Sequence, residues 1–175
     1  MSEAKNPRQW LKTRKTATAE DLSNDIWVRI ERTNRSLEKY GRGDFLANMP
    51  VLFAMYYYGL VLLMQVPEEP TGMDLQRLYR DNVKALEDEC LIDEEEGRAM
   101  VDGFHDACQK MADGCVRAKA AQGKDFNPFG AIVTEAAALL DLPYSDIRLE
   151  LANHLAEFAM TYKTGSPEKR PGIRN

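Results

Sequence analysis

Between residues 45 and 67 the chain carries no Asp, Glu, Lys or Arg, and within that stretch residues 51–64 read VLFAMYYYGLVLLM. Wound as a helix, such a segment is apolar on every side, so it has to be surrounded, either by protein or by lipid. Pro50 suits the first turn of this helix, where its missing N–H costs nothing, with Asn48 or Met49 as the cap. Counted from Pro50, the strongly apolar part falls short of the roughly 20 residues that a bilayer crossing needs. The expectation is a helix over about 48–66 wrapped by its neighbours, with no membrane span.

The remainder supplies the wrapping, because apolar residues recur at intervals of three and four and scarcely ever of two. A first helix is expected over 19–40, with Thr18 and Asp21 spaced as a capping pair, Gly41 as its stop, and Leu22, Ile26, Ile30, Thr33, Leu37 and Tyr40 facing inward. A third follows over 72–91, capped by Thr71 with Asp74, with Leu75, Leu78, Asn82 or Val83, Leu86 and Cys90 inward. Asp93 and Glu96 form a capping box for a fourth helix to about Ala121, whose seam is Val101, Phe104, Cys108, Met111, Cys115 and Ala118. Asn127 and Pro128 open a short fifth helix, Leu142-Pro143 closes it, and Ser145 starts a last one carrying Ile147, Leu151, His154, Leu155, Phe158 and Tyr162.

The fold class is therefore all-α: a single-domain bundle of about six helices around a fully apolar central helix, with flexible basic termini. Residues 1–17 form a basic arm, 18–163 the helical domain and 164–175 a disordered basic tail. The 44% hydrophobic and 29% charged content suits a globular chain able to build a core without disulfide or metal staples. Cys90, Cys108 and Cys115 are odd in number and lack the paired spacing of a zinc site, which with the lack of a secretory signal places the chain in the cytoplasm.

The net charge of −5 conceals a segregation. Lys5, Arg8, Lys12, Arg14 and Lys15 face only Glu3 in the first segment, and Lys163, Lys169, Arg170 and Arg174 face only Glu168 in the last. The body between them is strongly acidic: residues 81–113 alone hold eleven acidic and three basic side chains. Glu95, Asp102, Asp106 and Asp113 fall on the side of the fourth helix opposite its apolar seam and form a candidate surface for a cationic protein partner. The basic tails could themselves cover it, within one chain or between two, so a homodimer is possible.

Three other chemistries have some footing. Helical bundles hold metals through carboxylates and histidines one turn apart, which Asp102 with His105 and Glu150 with His154 satisfy approximately; a metal-dependent enzyme is the alternative they support. His105-Asp106 resembles the paired residues of HD-type phosphohydrolases, but the earlier histidine of that family's metal site has no counterpart here. The acidic run 87–96 resembles one motif of the MazG-type pyrophosphatases and lacks the second. A nucleic-acid-associated role would act through Arg8, Trp10, Lys12, Arg14 and Lys15, an arm of phosphate-seeking charge around one aromatic. Tyr56, Tyr57 and Tyr58 span about 300° of a helix, so they cannot all enter one pocket; they suit a core, an interface or the edge of a small-molecule pocket. The reading adopted from sequence is a non-enzymatic interaction or regulatory protein without a cofactor.

Overall fold

The structure, a computed structural model, describes residues 18–63, 66, 68–142 and 145–162. Among the described residues it contains six α-helices and no strand. These are α1 (Ala19–Glu38), α2 (Phe45–Leu63), α3 (Met73–Asp88), α4 (Glu94–Gln122), α5 (Pro128–Leu139) and α6 (Ser145–Tyr162). A short wide turn, Glu68–Gly72, precedes α3, and a tight turn, Gly123–Asp125, follows α4. The expected all-α bundle is the observed one.

The helix starts are written in local sequence. Thr18 and Asp21 exchange side-chain and backbone hydrogen bonds at 3.1 and 3.2 Å, and Asp93 and Glu96 do the same at 2.8 Å. Each such box occupies two of the otherwise unpaired N–H groups of a first turn. Asn127 caps α5 by accepting from the Gly130 N–H at 3.4 Å, with Pro128 next to it. The expected cap of α3 is not made: Gly72 occupies that position and no side chain bonds there.

Three helix ends share one geometry. After α1, the Gly41 N–H reaches the Glu38 carbonyl and the Arg42 N–H reaches Leu37, both at 3.0 Å. The same crossed pair recurs after α3, from Cys90 to Glu87 and Leu91 to Leu86, and after α5, from Asp141 to Ala138 and Leu142 to Ala137. The residue at the crossing takes a left-handed backbone, with φ of 72° at Gly41, 58° at Cys90 and 53° at Asp141. Cys90 is therefore no member of the inward stripe of α3, as its spacing suggested. It lies beyond the end of the helix and is exposed. Tyr79 is the large buried residue of that face, and its hydroxyl donates to the Met100 carbonyl at 2.9 Å.

α2 is the axis of the bundle. Met49, Leu52, Phe53, Ala54, Met55, Tyr56 and Leu60 have no exposed surface. All five other helices pack on the same core, α4 most extensively against α2. Burying a side chain of the Leu, Phe or Met class contributes about 1.5–3 kcal/mol, so α2 alone accounts for a large part of the hydrophobic stabilisation.

The start of α2 corrects the expectation. The helix begins at Phe45, with the Asp44 carboxylate accepting from the Ala47 N–H at 3.3 Å, and Pro50 sits buried inside it rather than in its first turn. The earlier start also removes the length argument against a membrane span. Phe45–Leu62 is long and apolar enough to cross a bilayer by length and composition, and what separates it from such a span is that 56% of it is buried against other helices.

α4 shows its seam moved by part of a turn. Gly97, Met100, Phe104, Ala107, Met111, Gly114 and Cys115 are buried, whereas Val101, Cys108 and Ala118 are only partly covered. Phe104 joins Phe53, Tyr79 and Trp27 in an aromatic cluster with ring centroids 4.7–5.6 Å apart for the pairs Phe53–Tyr79, Tyr79–Phe104, Trp27–Phe53 and Phe53–Phe104.

Candidate functional site

The tyrosine run of α2 distributes its rings to two sides of the bundle. Tyr56 turns to α1 and α6: its hydroxyl lies 2.6 Å from Thr33 Oγ1, and its ring meets Phe158 edge-on with centroids 5.0 Å apart. Tyr57 turns to α3 and α4, accepting from Gln76 Nε2 at 2.8 Å and packing edge-on against Phe104 at 5.5 Å. Tyr57 and Tyr58 together line a cleft of about 390 Å³ between α2, the turn before α3, α3 and α4, and His105 lines it too. Three residues singled out in the sequence thus share one place, and Tyr56 is elsewhere.

Other parts of that cleft carry no signal in the sequence. Gln76, Gln109, Met73 and Glu69 contribute to it. Among the described residues, Gln76 and Gln109 use their amide nitrogens, to Tyr57 and to Asp113 at 3.0 Å, while their carbonyl oxygens accept nothing. Cys108 also forms part of the wall, and burial pushes its thiol up to about 12, so it is a neutral thiol rather than a nucleophilic thiolate.

A second, smaller cleft of about 240 Å³ lies between α1 and α6 and includes Ser36, Glu150, His154 and Glu157. Ser36 Oγ is 2.9 Å from His154 Nε2 and 3.4 Å from the Arg32 carbonyl. Which of Ser36 Oγ and Nε2 donates in the shorter contact follows the imidazole tautomer. Nδ1 and Glu150 Oε2 are buried and have no protein partner among the described residues, whereas Glu150 Oε1 accepts from Tyr40 at 3.2 Å. Burial lowers the pKa of His154, against an opposing pull from Glu157 and Glu150, so the ring is neutral near pH 7. A serine beside a histidine is the beginning of a nucleophile–base pair, but that chemistry needs a group holding the imidazole through its other nitrogen, and none is in place among the described residues.

The proposed metal ligands are divided between the two regions. His105 borders the larger cleft, and Glu150 and His154 border the smaller one. Asp102 is exposed on α4, one turn before His105. Among the described residues no three His, Cys, Asp or Glu side chains come close enough to hold a metal ion, so Asp102, His105, Glu150 and His154 do not form the constellation their spacing allowed.

The acidic side of α4 is where the sequence placed it. Glu95, Asp102, Asp106 and Asp113 are all exposed. Among the described residues, Lys110 is the one cation within ion-pair distance of any of the four, at 3.1 Å from Asp106. The basic-arm residues Arg8, Trp10, Lys12, Arg14 and Lys15 lie outside the described residues. No family model matches the chain, and neither the curated proteins nor the solved structures searched contain a match.

Proposed function

We propose that this chain is a non-enzymatic interaction protein of the cytoplasm that engages basic protein surfaces through the exposed acidic side of α4, the basic segments of a second copy included. The observation that carries the reading is the division of α4. One side is packed against α2 and α5, and the other holds four exposed carboxylates, of which Asp106 alone has a cation, Lys110, within ion-pair distance among the described residues. Carboxylates so arranged on a rigid helix present a concentrated negative field, which speeds encounter with cations and favours complementary partners. The chain supplies complementary charge itself, in residues 1–17 and in the basic residues after position 162.

Sedimentation of the full chain tests the reading. At low ionic strength the field of α4 reaches about 30 Å, and near 1 M salt only about 3 Å, so a charge-driven dimer forms at the first and dissociates at the second. The variant Asp102→Lys with Asp106→Lys should be monomeric at both. A monomer throughout, or a dimer indifferent to salt and to the double substitution, would contradict the proposal.

A further inference from the structure

We infer that the cleft between α2, α3 and α4 binds a small planar aromatic amine in its cationic form. Its lining presents the half-buried ring of Tyr58 and the exposed imidazole of His105, backed by the buried rings of Tyr57 and Phe104, flat surfaces suited to a flat ligand. Its polar groups include three acceptors without a partner among the described residues: the carbonyl oxygens of Gln76 and Gln109, and the carboxylate of Glu69, an exposed residue. Among the described residues no Lys or Arg lines the cleft, and Asp102 and Asp106 lie within one turn of His105 on α4. A positive ligand therefore gains from the ring faces, from the acceptors and from the local field, while an anion of the same shape gains from the rings alone. The room of about 390 Å³ falls within the range of about 300–1,000 Å³ found for small-molecule sites. This inference shares with the protein-binding role of α4 only the field of Asp102 and Asp106; the rings and acceptors that line the cleft are a different set of side chains.

Proflavine, a flat tricyclic diamine that is cationic at neutral pH, serves as the probe, and 1-anilinonaphthalene-8-sulfonate as its anionic counterpart. Fluorescence titration of the full chain should show saturable one-to-one binding of proflavine and no saturable binding of the sulfonate. Gln109→Lys places a cation at the cleft on an exposed helical position, and Ala112→Phe fills it. Each should weaken proflavine by about tenfold or more, whereas Gln122→Lys, the same charge change about 20 Å further along α4, should leave it unaltered. Circular dichroism establishes that each variant is folded, and Gln109→Lys keeps the test decisive should Ala112→Phe not fold. Absence of saturable proflavine binding, equal binding of the sulfonate, or proflavine binding indifferent to Gln109→Lys would overturn the inference.

Discussion

Thr33 and Tyr56 give the sharpest test of the packing between α1 and α2. Thr33 Oγ1 donates its single proton to the Arg29 carbonyl at 2.7 Å, so the hydroxyl of Tyr56, 2.6 Å away, must be the donor to Thr33. Tyr56 is fully buried, and burial holds its phenol proton well above the usual pKa. Thr33→Val keeps the shape but leaves that O–H without an acceptor in the core, at a cost of about 1–3 kcal/mol. In a chain of this size each kcal/mol moves the midpoint by about 2–4 °C, so a cost of about 2 kcal/mol lowers Tm by about 4–8 °C. Tyr56→Phe removes the donor while Thr33 keeps its bond to Arg29, and costs only about 0.5–1.5 kcal/mol. With both changes no polar atom is stranded, so the double variant should melt above Thr33→Val alone. Reversible thermal or urea unfolding of the four proteins reads this directly. If Thr33→Val melts with the parent, or if the two losses simply add, the assignment of donor and acceptor is wrong.

Cys90→Gly should raise the urea midpoint without altering its slope, with a gain of about 0.5–1 kcal/mol, because Cys90 is exposed and its φ of 58° is one that glycine adopts without strain. Gly103→Ala should also stabilise by about 0.5–1 kcal/mol, since the new Cβ would lie 3.6 Å from Pro50 Cβ, an ordinary contact, in the middle of α4; a lower melting point would show that α2 and α4 cannot accept it. His154 has a folded pKa below the 6.5 of a free imidazole, chiefly through burial. The unfolded chain therefore takes up a proton first, so its contribution to stability is intact above about pH 6.5 and is lost as pH falls through the folded pKa. His154→Gln should flatten the fall in Tm over that window, and an unchanged pH profile would refute the assignment.

Much of the fold was legible because its determinants are local. The boxes at Thr18–Asp21 and Asp93–Glu96, and the pair Asn127-Pro128, need only neighbouring residues. The apolar stripes of α1 from Leu22 to Leu37 and of α6 from Ile147 to Phe158 likewise follow from helical spacing, whereas Tyr40, expected to face inward, lies past the end of α1 and is exposed. Errors arose where tertiary contact overrode a local rule. Pro50 marks a helix start by propensity, yet Asp44 begins α2 a turn earlier and the bundle holds the proline inside. Cys90 continues the spacing of α3, but the chain turns left-handed there and sends Ile92 into the core instead. The larger cleft was half visible, through Tyr57, Tyr58 and His105. Gln76, Gln109 and Glu69 gave no sign, because an amide or carboxylate on a helix or turn looks like ordinary surface until another helix faces it.

The account depends on α2 being enclosed by protein rather than by lipid. Native-state hydrogen exchange of the full chain in detergent-free buffer measures this at each amide. The amides of 52–60 should exchange only through global unfolding, more slowly than those of every other helix. A chain that stays dispersed only with detergent, or α2 amides that exchange as fast as the helix ends, would contradict it.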